Sequence, residues 1–515
     1  MARGAVAVTR TGAPRLPGAL AALMVAGLCL GTLVPLLRGA GEGGFGAADW
    51  AALRFTLLQA ALSALVSVAL AVPVARALAR RRFPGRGALV TLLGAPFLLP
   101  VIVAILGLLA LFGRGGLVND ALALLGLPRL SIYGLHGVVL AHVFLNLPLA
   151  TRLILQGWLD VPAERFRLAA TLNAPVWAVI ERPMLARIVP GALAAIFALC
   201  LTSFSVALIL GGGPAATTLE LAIYQAIRFE ADVAGAAQLA LLQYLLCGAA
   251  AGLALGLAPG AMGGAGLGRA VERWDAQGRA ARTGDALAIG GAALFLLLPL
   301  ALAALRGVGG LAELPPEVAG AAGRSLLVAL GATALTLILA LALAMRGGHL
   351  ALVAGTLPLA ASGLVLGTGL LHLLRPHVAL ATAALPVTAL VDALVALPFA
   401  LRALAPALAE IEARHGRLAD SLGLTGLRRL RIVLLPLLRP ALGFAGGLAA
   451  ALSVGNLGAI ALFAAEGQAT LPLLMARLMG AYRMEAAAGV GLMILVLALG
   501  LFWAFDRGGR TRAAA

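Results

Sequence analysis

The chain has 515 residues, 62% of them hydrophobic and only 11% charged, with a mean hydropathy of +1.04. A soluble domain carries about a quarter charged residues, so this composition excludes an ordinary water-soluble protein and points to a bilayer. The net charge of +17 raises nucleic acid as a partner, but the placement of the arginines argues against it, as the loops below indicate.

A membrane-spanning helix needs roughly 20 mostly apolar residues. Twelve such segments are expected, at about 16–37, 53–75, 88–112, 131–151, 188–210 and 235–258, then 286–305, 324–345, 350–374, 378–401, 441–463 and 486–505. The runs are continuous rather than alternating, which argues for helices over strands. The first lies behind Arg3, Arg10 and Arg15 and is too long for a signal peptide, so it reads as a retained helix. Cys29, Cys200 and Cys247 fall in or beside spans without metal or redox spacing and read as small core residues.

The chain contains no lysine, so its 38 basic residues are all arginine. With loops alternating from an inside N-terminus, 28 arginines fall on the inner side and 10 on the outer, while the acidic residues divide evenly. This is the positive-inside pattern, with both termini cytoplasmic, and the basic excess concerns topology rather than nucleic acid. The twelve spans divide into two sets of six, residues 1–258 and 286–515, around a polar linker at 259–285. An even number of spans per half makes a parallel repeat. Arg54 and Arg76 bracket the second span as Arg324 and Arg346 bracket the eighth.

In the fourth span LAHVFLNLP carries His142 and Asn146, and 250 residues later LVDALVALP carries Asp392 opposite His142. Polar groups at membrane depth are costly and face a bundle interior or a watery cavity, so these residues are candidates for a translocation path, beside the simpler reading of interhelical hydrogen bonds. The same offset relates Leu147–Pro190 to Leu397–Pro440, placing Arg152 on Arg402, Arg167 on Arg417, Leu168-Ala169 on Leu418-Ala419 and Pro190 on Pro440. Each copy predicts a short amphipathic helix on the inner surface, begun by Pro162 in the first and closed by Gly423 in the second. Candidate docking residues are Glu164, Arg167, Leu168, Ala169, Ala170 and Asn173 in one copy, and Arg414, Arg417, Leu418, Ala419 and Gly423 in the other.

Beyond the fifth span, Gly211, Gly212, Gly213 and Pro214 form a turn on the outer side that cannot stay helical. It is no phosphate-binding loop, since no GK[ST] follows. Ser203 falls on Ser453, and Thr218-Leu219 is echoed by Thr470-Leu471. An outward segment at the same place in both halves suits a mouth that receives cargo, lined by candidates Ser203, Gly211, Gly212, Gly213, Thr217, Thr218, Glu220, Tyr224 and Ser453; a plain outer hairpin is the alternative. No catalytic constellation, cofactor motif or metal-ligand spacing is visible, so an enzyme active site is not expected.

On these residues the chain resembles the membrane subunits of type I ATP-binding-cassette importers. Their inner-face motif runs EAA, three residues, Gly, and on to Leu-Pro. Arg417-Leu418-Ala419, Gly423 and Leu435-Pro436 fit it by spacing, whereas the first copy has Asn173 for the glycine and Pro183 about three residues early. Two fused halves look like the iron(III) and thiamine permeases, and GGGPAATTLELAIYQAIRF, LAHVFLNLPLATR, FRLAATLN and LGAIALF are similar to the thiamine and thiamine diphosphate permeases. The resemblance implies an all-α polytopic protein of the bacterial inner membrane. It also implies a separate ATPase homodimer on the two docking helices, which would hold the ATP and magnesium, and a periplasmic thiamine-binding protein at the outer face. The alternatives are the same machinery with iron(III) or another small solute, or an ion-coupled secondary transporter. The second is disfavoured by the parallel repeat and by Asp392 being the single carboxylate placed within a span.

Overall fold

The computed structural model describes residues 15–40, 44–93, 99–257, 273, 276–465 and 467–510. Arg3, Arg10 and most of the linker expected at 259–285 lie outside these residues. The described chain is all helical, with fifteen helices that matter here: α1 Arg15–Gly31, α2 Ala47–Arg80, α3 Val101–Phe112, α4 Leu135–Leu159, α5 Ala163–Thr171, α6 Arg182–Leu201, α7 Leu219–Arg228, α8 Val233–Leu257, α9 Arg279–Gly310, α10 Val318–Arg346, α11 Gly363–Leu374, α12 Leu380–Ser421, α13 Leu435–Val454, α14 Leu471–Gly480 and α15 Met484–Arg510. Among the described residues eleven helical segments are long and apolar enough to cross a membrane. The pair Leu350–Leu359 and Gly363–Leu374, bent by 90° at its break, counts as a twelfth.

The spans are built inside out relative to a soluble helix. On α2 the buried positions Thr56, Gln59, Ser63 and Ser67 follow one another at three- and four-residue steps, interleaved with Ala52, Ala60 and Ala64. Leu57, Leu58, Leu65 and Leu70 face outward. Lipid offers no hydrophobic drive to bury leucine, so small and weakly polar residues take the helix contacts and large apolar ones meet the acyl chains. That stripe packs α2 on α4, and α10 packs on α12 in the same way.

Two expected spans are interrupted. The run at 88–112 holds a helix at Arg86–Leu92 and then α3 from Val101, with Leu99 and Pro100 outside both. The run at 350–374 stops at a 3₁₀ turn, Leu357–Leu359, before α11. Pro100 stands at the N-cap of α3; Pro358 opens the 3₁₀ turn, and Ser362 caps α11 by accepting the Val365 N–H at 3.2 Å. Neither Pro100 nor Pro358 supplies an N–H to a preceding turn, and at both sites the helix restarts although the run stays apolar.

The first helix of each half is lent to the other. Helix α1 packs against α10, and α9 packs against α2 and α3. At one crossing a Cβ on Gly107 would stand 2.4 Å from the Pro299 carbonyl oxygen, so glycine is what lets α3 meet α9 backbone to backbone.

Candidate translocation path and docking surface

Two cavities lie between the halves. One, of about 700 Å³, is lined by His142, Asn146, Ser203 and Glu220 from the first half and by Ser362, Asp392, Arg402, Ser453 and Asn456 from the second. Each half contributes one short hydrogen bond in the same place. His142 Nε2 shares a 2.5 Å hydrogen bond with Ser203 Oγ, and Ser453 Oγ donates to Asp392 Oδ2 at 2.6 Å. Both pairs join residues 61 apart, linking α4 to the end of α6 and α12 to the end of α13. Ser63 on α2 meets His142 Nδ1 at 3.2 Å, and Asn456 Nδ2 donates to Asp392 Oδ1 at 2.6 Å. Glu220 of α7 lines this cavity beside Ser362, which opens the restarted span of the other half.

The sequence offset aligned His142 with Asp392 and Ser203 with Ser453; the structure bonds His142 to Ser203 and Asp392 to Ser453, but Ser203 lies two residues past the end of α6, where the second half has Asn456 two residues past the end of α13. Asn456 was missed, although it stands three residues after Ser453 in the same turn, and so were Ser63, Ser362 and Arg402. Ser63 and Ser362 sit in runs that read as plain apolar spans. Arg402 had been noted only as the match of Arg152.

The second cavity, of about 1460 Å³, opens at the end of the bundle away from the arginine-rich loops. Gly211, Gly212 and Gly213 line it with Tyr224 and Arg228, facing Arg477 and Tyr482 of the second half. The glycine turn has φ of +75° at Gly212 and +135° at Gly213, as a non-helical turn requires. Thr217 and Thr218 line neither cavity. Thr217 donates to the Gly213 carbonyl at 3.4 Å, and Thr218 caps α7 by accepting the Leu221 N–H at 3.3 Å. The start of α7 is held by Thr56 Oγ1 on the Leu219 N–H at 2.9 Å, and Ser325 Oγ holds the Leu471 N–H of α14 at the same distance.

At the arginine-rich end, the duplicated segment forms α5 in the first half. In the second half it is not a separate short helix. It is the end of α12, which runs unbroken through Pro386, Pro398 and Pro406 for 42 residues, about 63 Å at 1.5 Å per residue. The surfaces nevertheless agree at 166/416, 169/419, 164/414, 167/417 and 168/418. Phe166 and Ala169 are buried, as are Gly416 and Ala419; Glu164 and Arg167 are exposed, as are Arg414 and Arg417. Leu168 and Leu418 are each 59% exposed. Ala170 is half-buried.

Both segments end in the same cap. The Ala174 N–H reaches the Ala169 carbonyl at 2.8 Å and the Leu424 N–H reaches that of Ala419 at 2.9 Å. Asn173 takes φ +49° where Gly423 takes +65°. Asparagine is the second choice for this left-handed position, so the substitution preserves the turn. After it the chain enters a π-helical turn, Trp177–Glu181 or Leu430–Leu434, just before Pro183 or Pro436. The three additional residues of the second copy fall in the turn Gly426–Arg429.

Each docking segment is clamped to its π turn by buried ions. In the first half Glu181 pairs with Arg76 and with Arg273 at 2.8 Å each, and accepts from Trp158 Nε1 at 3.2 Å. The Arg273 guanidinium also lies 4.9 Å from the centre of the Phe166 ring of α5. In the second half Arg429 pairs with Asp420 at 2.5 Å and with Glu412.

Comparison with known proteins places this arrangement. Thiamine transport system permease proteins from Salmonella typhimurium, Brucella abortus and Escherichia coli are similar to the chain. The first is 40% identical over 480 residues, covering 89% of both chains. The Brucella protein is 38% identical over 535 aligned residues, 97% of this chain and 96% of its own, and the E. coli protein is 39% identical over 487, 89% of each. The chain belongs to this family of transport-system permeases. No protein-family model matches it. The permease is thus a multi-pass membrane transport protein rather than an enzyme.

Proposed function

We propose that this permease imports thiamine or its phosphate esters across the bacterial inner membrane, as the membrane subunit of an ATP-driven importer. Two copies of a separate ATPase grip α5 and the end of α12 from the cytoplasm, and a soluble thiamine-binding protein delivers cargo to the outer cavity. Closure of the ATPase pair rocks the two halves, and the lent helices α1 and α9 carry the motion of each half to the other. The observation that carries this reading is the pair of docking segments. Leu168 and Leu418 are equally exposed beside Arg167 and Arg417, and an exposed leucine rimmed by charge is the surface a partner protein covers. The relatives' names support thiamine as cargo.

Reconstitution tests the reading. Proteoliposomes holding permease, ATPase and binding protein are expected to accumulate labelled thiamine only with ATP and all three components. Arg417→Glu is expected to leave the permease folded while uptake falls about tenfold, the cost of one reversed charge in a partner contact. Uptake by the permease alone, or normal uptake with Arg417→Glu, would overturn the reading.

A further inference from the structure

Two carboxylates line the inner cavity, and neither forms an ion pair with any described residue. Asp392 and Glu220 are each 2% exposed. Asp392 accepts hydrogen bonds from neutral donors alone, Ser453 and Asn456. Arg402 lines the same cavity and pairs with neither of them. Among the described residues the other buried acids are compensated, Glu181 by Arg76 and Arg273, Asp285 by Arg80 and Arg81, and Glu412 by Arg429. The two exceptions are the two that face open space.

Burying a carboxylate without a cation is expensive, and a polar group at membrane depth that faces a cavity marks the route of what crosses. The cavity volume of about 700 Å³ lies within the range of sites that enclose a small organic molecule, roughly 300–1,000 Å³. We infer that this cavity is a transit site for an organic cation, with Asp392 as its principal counter-charge and Glu220 as the second. The inference rests on the proposed cargo, whose positively charged ring is the group these acids would meet. Asp392 leads because both its oxygens are held within the second half by a rigid pair of donors. Glu220 comes from α7 in the first half and lines the same cavity. The couple His142–Ser203, which carries no acid, then contacts the uncharged part of the cargo.

The test uses the whole importer in proteoliposomes and compares thiamine uptake with ATP hydrolysis stimulated by loaded binding protein. Asp392→Asn keeps the shape and an acceptor for Ser453 while removing the charge. Uptake is expected to fall about tenfold or more with ATP hydrolysis within about twofold of normal, and Asp392→Glu to restore part of the uptake. Uptake within about twofold of normal in Asp392→Asn would overturn the inference. If that variant loses both activities, labelling decides. A cysteine at Ser205, which lines the cavity, is placed in a chain whose three native cysteines are alanine. It is treated with a cationic and a neutral thiol reagent of similar size. A preference for the cation that vanishes with Asp392→Asn or Glu220→Gln sustains the inference, and no preference overturns it. Failure of the wild-type importer to take up thiamine would instead strike at the proposed cargo, while the labelling still reports the cation site.

Discussion

In the first half the clamp beneath the docking segment has its acid on the π turn, and in the second half it has its base just before that turn. Glu181 closes the first π turn and draws arginines from α2 and from the linker; Arg429 precedes the second π turn and draws acids from α12 itself. The cavity repeats the contrast, with His142 in one half and Asp392 in the other bonded to matching serines. Backbone geometry is therefore what the two halves share: the cap, the π turn, the restarted third span and the serine at the end of the fifth. Charge is what they exchange. A scaffold fixed by small residues and prolines tolerates either sign, provided the buried group finds a partner.

That comparison is broken most severely at the clamps. Glu181→Ala leaves two arginines without their acid, and the Arg273 side chain is only 2% exposed. A loss of about 3–5 kcal/mol is expected, visible as a large fall in the thermal midpoint of the detergent-solubilised permease. Arg429→Ala should cost less, about 2 kcal/mol, because Asp420 is 63% exposed and only Glu412 is left buried. An equal or reversed order would contradict the view that the first clamp is the more buried one.

The caps give a smaller effect. Gly423→Ala forces a Cβ into the left-handed region and is expected to cost about 1–2 kcal/mol. Asn173→Gly should change stability by no more than about 0.5 kcal/mol, since the turn is already made. Measured side by side in the same melting assay, similar costs for the two substitutions would mean that the caps are not equivalent.

Much of this was legible in residue order. The 250-residue offset located the duplicated inner-face segments and singled out His142, Asp392, Ser203 and Ser453, because each rests on local residues repeated at one spacing. The glycine turn at Gly211–Gly213 and the cap at Gly423 were legible for the same reason: only glycine suits those φ values freely. The breaks in the third span of each half were not, since Pro100 and Pro358 sit in runs whose hydropathy never falters. Nor was the fusion of the second docking segment with its span, since Pro398 and Pro406 stand between the span and the segment and are accommodated within α12. The exchange of α1 and α9 and the pairing of Glu181 with Arg273 join residues far apart in sequence, 92 positions in the latter case, and no periodicity reports such a contact. Thr217 and Thr218 were read as facing cargo from their place beside the turn, whereas their hydroxyls are spent on the turn and on the cap of α7.

The central claim is that one chain presents two unequal segments as equivalent handles. Single cysteines at Leu168 and Leu418 in the reconstituted importer, cross-linked to the ATPase subunit, test it directly. The account predicts that each position captures one ATPase subunit with comparable yield and that the double variant captures two. Capture by only one position, or by neither, would contradict it.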